Sequence, residues 1–466
     1  MIMEPSLPKI KPNYDLKEFL TGFNSDSEVV SILNKIGVRP SKGLGQNFLI
    51  DGSIAESIVN TLRISPEDTV IEIGPGLGAL TRHLIGNVRR LVLVEFDRKI
   101  YEYLSDVLSE LDGVEVLHED AVKFDIRPFY VEGGIKIVGN LPYSCGTEII
   151  RNFLDLPTPV DLAVFMLQKE VVDRFCAIPR TKSYGFLTVM IRSTWNVEKL
   201  QELSFEPFTP RPEVNSAVIR FSPCDYDTYP PFNKRVLKRV VKCGFQERRK
   251  QLKKRLPLGN FTWVEICEEL NLKETARAEE LTVDEWIKIA RLIDDNPLKD
   301  NPQSGDEMFD VVDEDDQVTG QMKRSRVHSE NLMHRAVHVF IFNKFGDLFL
   351  QKRSRLKDSS PGLWDSSASG HLNVAETYHD AAVREVFEEL GISRDVDFIS
   401  IIEASENTGW EFVHLYSCEH DGPFNFPYSE IEGGKFFPMT VIRNWTQERP
   451  EDFASGFIEC LCNYVE

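Results

Sequence analysis

The stretch from Val70 to Tyr143 constrains this 466-residue chain more than any other. It opens on Val70-Ile71-Glu72-Ile73-Gly74-Pro75-Gly76-Leu77-Gly78-Ala79-Leu80-Thr81: a buried strand, a glycine turn and a helix start. Glycines in such a turn let the backbone approach a ligand and expose the amides of a helix N-terminus. Gly74, Gly76 and Ala79 also satisfy a dinucleotide-binding G-x-G-x-x-A pattern, so the turn alone does not choose the ligand. A second apolar run, Leu91-Val92-Leu93-Val94, ends in Glu95, 21 residues beyond Gly74. A strand-end acid about 20 residues on is placed to take ribose hydroxyls. A third run, Val114 to Leu117, leads to Asp120, where a carboxylate can accept from an adenine amino group. A fourth, Ile135 to Val138, leads into Asn140-Leu141-Pro142-Tyr143. This succession predicts a doubly wound, Rossmann-like α/β domain.

The glycine turn and Glu95 suit NAD or S-adenosylmethionine equally. The tetrapeptide separates them, because Asn140-Leu141-Pro142-Tyr143 resembles the catalytic motif of methyltransferases that act on exocyclic amino groups. Adenine N6 is a poor nucleophile, its lone pair being delocalised into the ring. Carbonyl acceptors from the Asn140 side chain and the Leu141–Pro142 backbone can bond the N6 hydrogens and localise that pair toward a methyl sulfonium. Pro142 stiffens the loop. Tyr143 offers a ring on which an extruded base can stack.

Length predicts two or three domains. No apolar run approaches the roughly 18 residues of a membrane span, so no membrane partner is expected. Eight cysteines form no C-x-x-C pair, which fits a reducing, cytoplasmic setting. The net charge of −20 argues at first against nucleic acid. The charge is uneven, however. Residues 301–466 carry 14 basic and 30 acidic residues, whereas residues 232–256 hold eleven basic residues and one acid. Local clustering matters more for phosphate binding than the total.

Further segments point the same way. They are Lys42-Gly43-Leu44-Gly45-Gln46-Asn47-Phe48-Leu49-Ile50-Asp51, Phe165 to Val171, Lys182-Ser183-Tyr184-Gly185, Phe208 to Val218, Cys243 to Leu252 and Ala276 to Leu281. Together with the 70–143 core, they make residues 40–293 strongly resemble the bacterial-type ribosomal RNA adenine N6,N6-dimethyltransferase family. Two departures are mild: Arg211 stands where the family usually has proline, and Asn215 where it often has aspartate. The resemblance implies S-adenosylmethionine as cofactor, bound by Asn47, Leu49, Gly74, Gly76, Glu95, Asp120 and Asn140. It implies catalysis by Asn140, Leu141, Pro142 and Tyr143, and small-subunit ribosomal RNA or its precursor particle as partner. It also implies a small helical RNA-contacting domain, for which Lys238, Lys242, Arg248, Arg249, Lys250 and Lys253 are the phosphate-contact candidates.

A second enzyme is legible after an acidic, proline-containing boundary. Gly370, Glu376, Arg384, Glu385, Val386, Glu388, Glu389, Gly391 and Ile392 fill the Nudix box, G-x5-E-x7-R-E-U-x-E-E-x-G-U, at every fixed position. Glu385, Glu388 and Glu389 share one helix face, where like charges repel. A divalent cation resolves that repulsion, and Mg²⁺ prefers oxygen ligands plus substrate phosphates. Glu385, Glu388 and Glu389 are therefore the metal candidates, with Glu388 and Glu389 also catalytic candidates. Glu430 or Glu432 can add a carboxylate. The flanks, including His334 to Val339 and Gly362 to His371, resemble the Nudix branch related to isopentenyl diphosphate isomerase. That isomerase needs a cysteine where Ser366, Ser367 and Ser369 stand, so the resemblance implies hydrolysis of a small diphosphate substrate.

The predicted architecture is an N-terminal extension (1–39), a methyltransferase domain (40–225), the helical domain (226–295), a linker (296–306) and an α/β/α Nudix domain (307–466). The competing reading is a nucleic-acid-binding factor with a vestigial methyltransferase site, joined to a non-catalytic nucleotide-binding module. The intact motifs speak against it.

Overall fold

The computed structural model describes residues 14–23, 25–40, 46–248, 250–294 and 304–464. Arg249, residues 42–45 of the glycine-rich segment and most of the expected linker lie outside the described residues. The chain divides into two compact units. The first holds residues up to 229 with 241–256 and 272–286, and the second holds 230–240, 257–271 and everything from 287 on.

In the first unit the four apolar runs are strands β1 (Thr69–Ile73), β2 (Arg90–Glu95), β3 (Val114–His118) and β4 (Ile135–Asn140). They continue into β5 (Val160–Gln168), β6 (Trp195–Leu203) and β7 (Ser216–Pro223). The seven form one sheet in the order β3-β2-β1-β4-β5-β7-β6. The first five are parallel, and β7 runs antiparallel between β5 and β6. Parallel strands need both faces covered, so their sequences read as unbroken apolar runs. Alternate residues indeed enter two cores: Val70, Leu91, Leu93 and Val138 pack on one face, and Ile71, Val92, Val94 and Ile137 on the other. The chain reverses direction of winding between β1 and β4, and a crevice opens there at the strand ends.

Helices α1 (Leu16–Thr21) and α2 (Asp26–Lys35) precede this sheet, and α3 (Gly52–Thr61) follows them, capped by Asp51. Helix α4 (Arg98–Val107) begins after β2 and is capped by Asp97, which accepts from the amides of Lys99 and Ile100. Helix α5 (Gly146–Leu154) follows the Asn-Leu-Pro-Tyr loop. The basic stretch forms α6 (Lys234–Gln246), and α7 (Trp263–Leu270) and α8 (Val283–Leu292) complete the helical segment.

The second unit is built on a nine-stranded mixed sheet. Its strands are β8 (Met308–Val312), β9 (Val318–Lys323), β10 (His334–Phe342), β11 (Leu348–Arg353), β12 (Trp364–Asp365), β13 (Ala368–His371), β14 (Asp397–Ile402), β15 (Glu411–Glu419) and β16 (Ile431–Phe437). Strand β10 is central: it pairs antiparallel with β13 and parallel with β15. Helix α9 (Tyr378–Leu390) carries the Nudix glutamates and buries Ala381, Ala382, Val386 and Leu390 against the core. Gly391 ends it with φ 69°, the left-handed geometry for which glycine has no steric cost. No helix among the described residues is long and apolar enough to cross a membrane.

Candidate active sites

A cavity of ≈ 310 Å³ opens where β1, β2 and β4 end, and Asn47, Leu49, Gly74, Gly76, Glu95, Asp120 and Asn140 all line it. Gly74, Gly76 and Gly78 all have positive φ, so the loop can turn sharply while keeping its amides open. Glu95 accepts from the Gly76 amide at 3.3 Å and the Asp97 amide at 2.8 Å. Burial pushes its carboxyl up to about 7, despite those two donors. Glu72 is fully buried beneath the same cavity, where burial raises it to about 8 and the Thr81 hydroxyl donates to it at 2.7 Å. Asp120 accepts from the Val122 amide at 3.0 Å, which fixes its carboxylate at the turn after β3.

The segment 46–50 crosses the site. Gln46 donates to Asp97 at 3.2 Å, and the Asn140 amide nitrogen donates to the Asn47 carbonyl at 2.8 Å. That bond leaves Asn140 Oδ1 as the acceptor. A two-residue ladder of Phe48 and Leu49 with Thr209 and Phe208 anchors the segment. Leu141 is buried and its amide donates to the Met166 carbonyl at 3.0 Å. The Tyr143 hydroxyl shares a 2.7 Å hydrogen bond with Ser216, so the phenol is held by β7 rather than left to swing.

The Nudix residues converge as a second cluster. Arg384 forks onto Glu376 with two bonds of 2.8 Å, bonds Glu385 at 2.7 Å and Glu388 at 3.1 Å, and donates to the His371 carbonyl at 2.9 Å. Glu385 is pushed up to about 8 by burial and then by Glu389. Glu389 is pushed up to about 7 by burial, with Glu430 adding repulsion and Lys357 opposing it. Lys357 is itself buried and lies 3.7 Å from Glu389 and 3.6 Å from Glu430. Glu432 instead accepts from the Arg355 amide at 3.1 Å, so of the two candidate carboxylates Glu430 belongs to the cluster. A Cβ on Gly370 would lie 2.1 Å from a Glu385 oxygen. The first glycine of the box therefore exists to seat that carboxylate.

Comparison with known proteins fits this geometry. The family model for ribosomal RNA adenine dimethylases matches residues 39–295, more than half of the chain. The chain belongs to the ribosomal RNA adenine dimethylase family. It is 37% identical to ribosomal RNA small subunit methyltransferase A of Clostridioides difficile over 284 residues, 59% of this chain and 96% of that protein. It is 36% identical to the same-named protein of Marinobacter nauticus over 276 residues, 58% of this chain and 99% of that protein. A dimethyladenosine transferase from Plasmodium falciparum superposes with TM-score 0.45 at 21% identity, over 52% of this chain and 95% of that one. Residues 332–455 match the NUDIX domain model.

Within the dimethylase part, the basic candidates separate. Lys238, Lys242, Lys250 and Lys253 are exposed. Arg248, a phosphate-contact candidate in the same run, is already engaged within the protein. It pairs with Glu279 at 3.0 Å and donates to the carbonyls of Thr181 and Lys182. A half-buried guanidinium bonded to one carboxylate and two backbone carbonyls is a structural tie. The Tyr184 hydroxyl, in the adjacent family signature, likewise donates to the Leu281 carbonyl at 2.7 Å.

Sequence reasoning missed one further group. His328, His334 and His371 bring ligand nitrogens within 4.8 Å of one another. The Glu411 carboxylate lies 3.0 Å from His371 Nε2 and 3.6 Å from His334 Nε2. His328 and His334 each hold a buried Nε2 without a hydrogen-bond partner. Burial and then His371 hold His328 down at about 4. Burial works to raise Glu411, yet the nearby His334 and the hydrogen bond with His371 hold it well below the usual range. Three imidazoles and a carboxylate form a donor set for a transition metal such as Zn²⁺, unlike the all-oxygen set on α9. Strand register assembles it: His334 faces Glu411 across β10–β15, and Ala336 faces His371 across β10–β13. His371 and Glu411 also line a ≈ 200 Å³ cleft with Lys357 and Ser369. Of the three loop serines, Ser366 and Ser367 are fully buried and hydrogen-bonded to His338 and to the Phe349 carbonyl, so Ser369 alone of the three lines this cleft. The pair His328 and His334, six residues apart ahead of Gly370-His371, was the available sequence signal.

Proposed function

We propose that residues 40–225 dimethylate N6 of two adjacent adenines near the 3′ end of small-subunit ribosomal RNA, with residues 226–295 contacting that RNA. The carrying observation is that the glycine turn, Glu95, Asp120 and Asn140 line one cavity. S-adenosylmethionine, when bound, supplies an electrophilic methyl group on a sulfonium. The cavity fits it: a side chain on Gly76 would press on Phe48 at 3.1 Å, and Glu95 and Asp120 offer acceptors for ribose hydroxyls and an adenine amine. Asn140 Oδ1 and the Leu141–Pro142 backbone accept the N6 hydrogens and direct the lone pair outward. Tyr143 stacks on the extruded base, its ring fixed through Ser216. The test is methyl incorporation into unmethylated small subunits, expected as two methyl groups on each of two adenines. Incorporation into guanine or cytosine overturns the assignment.

For residues 307–466 we propose hydrolysis of a small diphosphate-containing substrate. The donor set of Glu385, Glu388 and Glu389 fits Mg²⁺, since burial has raised two of the three carboxylates toward neutrality although Arg384, Lys357, Arg353 and the Ser369 amide work against it. Mg²⁺, when bound, supplies Lewis acidity to phosphate oxygens and to a water. Glu385 and Glu389 would hold the cation, Glu388 extends from the exposed side, and Arg384 bonds both Glu385 and Glu388. A glutamate of this set takes the proton of the attacking water. Screening diphosphate compounds with the full chain tests the reading, which fails if no substrate releases phosphate. A reducing cytoplasmic setting fits eight free cysteines.

A further inference from the structure

The family-matched part begins at residue 39, yet residues ahead of it touch the cofactor cavity. Phe19 on α1 and Phe23 just after it are 5% and 4% exposed. Phe23 forms part of the cavity wall. The Arg82 guanidinium lies 4.4 Å from the Phe23 ring centre and 5.7 Å from that of Phe19. The same group donates to the Leu77 carbonyl, within the glycine loop, at 3.3 Å. Its Nε is buried without a hydrogen-bond partner, so the two aromatic faces supply much of what holds it.

Two glycines permit this approach. Gly78 has φ +82°, and a Cβ there would lie 2.3 Å from the Phe19 ring. Gly22 has φ +80°, and a Cβ there would lie 2.4 Å from Arg82 Nη1. The extension is further seated by Tyr14, whose ring meets Tyr103 of α4 edge-on at 4.9 Å. The glycine loop is thus bounded on one side by the cavity and on the other by Phe19 and Arg82.

We infer that Phe19, Phe23 and Arg82 form a clamp, contributed largely by the N-terminal extension, that holds the glycine loop in its cofactor-binding shape. Phe23 is a wall contact for the ligand; Phe19 and Arg82 are positioning residues. A loop with three glycines at positive φ has much conformational freedom to lose on binding. Restraining it beforehand lowers that loss and tightens the complex. The inference rests on the S-adenosylmethionine reading above.

The test is calorimetric titration of S-adenosylmethionine and S-adenosylhomocysteine into the full chain, with thermal melting of each variant. Phe23→Ala is expected to weaken both ligands about tenfold, and Phe19→Ala and Arg82→Lys about threefold to tenfold. Phe23→Leu, which keeps an apolar wall, is expected to retain most of the affinity. In turnover the loss falls on KM for the cofactor and not on KM for the ribosomal particle. If Phe19→Ala does not melt cooperatively, Phe23→Leu and Arg82→Lys carry the comparison with Phe23→Ala. A wild-type chain that binds neither ligand overturns the cofactor reading and the clamp with it. Wild-type binding with an unchanged Kd in folded Phe23→Ala overturns the clamp alone.

Discussion

Both sites bury two glutamates, but they surround them differently. Glu95 and Glu72 meet neutral donors: the amides of Gly76 and Asp97, and the Thr81 hydroxyl. Glu389 also accepts from the Ser369 amide at 3.0 Å and from Gln351 at 3.3 Å, but it and Glu385 in addition face each other, Arg384 and Lys357. Burial raises all four by similar amounts, to between about 7 and about 8. What distinguishes the sites is the remaining need. Glu95, facing only neutral donors, keeps acceptor capacity suited to hydroxyl groups, whereas carboxylates that face each other keep a repulsion that a cation would relieve.

The comparison breaks first at the Nudix cluster. Glu389→Gln keeps the shape and removes a charge, and is expected to cut hydrolysis on the order of a hundredfold or more. Its cation-free melting temperature should hold or rise, while the shift with Mg²⁺ shrinks. Full activity would exclude α9 as the metal site.

Next, Asn140→Ala is expected to lower kcat about a hundredfold with little change in cofactor Kd, because its acceptor acts on the nucleophile. Glu95→Ala is expected to do the reverse. Equal loss of affinity in both variants would refute this division of roles.

A pH series sharpens the contrast. Glu95 is raised to about 7 in the free cavity, so below that value it is protonated and one acceptor is lost. Cofactor affinity should therefore fall as the pH drops through about 7, by no more than the loss of that acceptor costs, and level off above it. Mg²⁺ affinity should fall more steeply, through about 8 and 7, because two coupled carboxyls must lose protons. Parallel slopes would mean that one of the two clusters does not bind through its carboxylates. For the histidine group, Zn²⁺ should raise the wild-type melting temperature and leave that of His371→Ala unmoved.

The smallest effects separate the lysines from Arg248. Replacing Lys238, Lys242, Lys250 and Lys253 by alanine should flatten the log–log salt dependence of ribosome binding by about one unit for each phosphate left unneutralised. Arg248→Ala should leave that slope unchanged and destabilise the fold by about 1–2 kcal/mol, since it breaks bonds to Glu279, Thr181 and Lys182. A slope change in Arg248→Ala alone would reverse this sorting.

The amino-acid order by itself determined whatever is local. Unbroken apolar runs gave the parallel strands, because a sheet covered on both faces has no polar positions to alternate. The glycine turn, the Asn-Leu-Pro-Tyr loop and the carboxylates of α9 were legible because each lies within one turn or one helix. Tertiary structure decided what depends on distant residues meeting. Arg248 and Lys250 look alike in a basic run, and only the approach of Glu279 and the 181–182 loop makes one of them structural. Glu430 and Glu432 are separated by where Lys357 and the Arg355 amide lie. The histidine group is drawn from a helix and three strands spread over residues 328–411. Phe23 enters the cofactor wall from outside the family-matched segment. Spacing along a chain specifies neighbours only over a few residues, and strand register and core packing choose all the others.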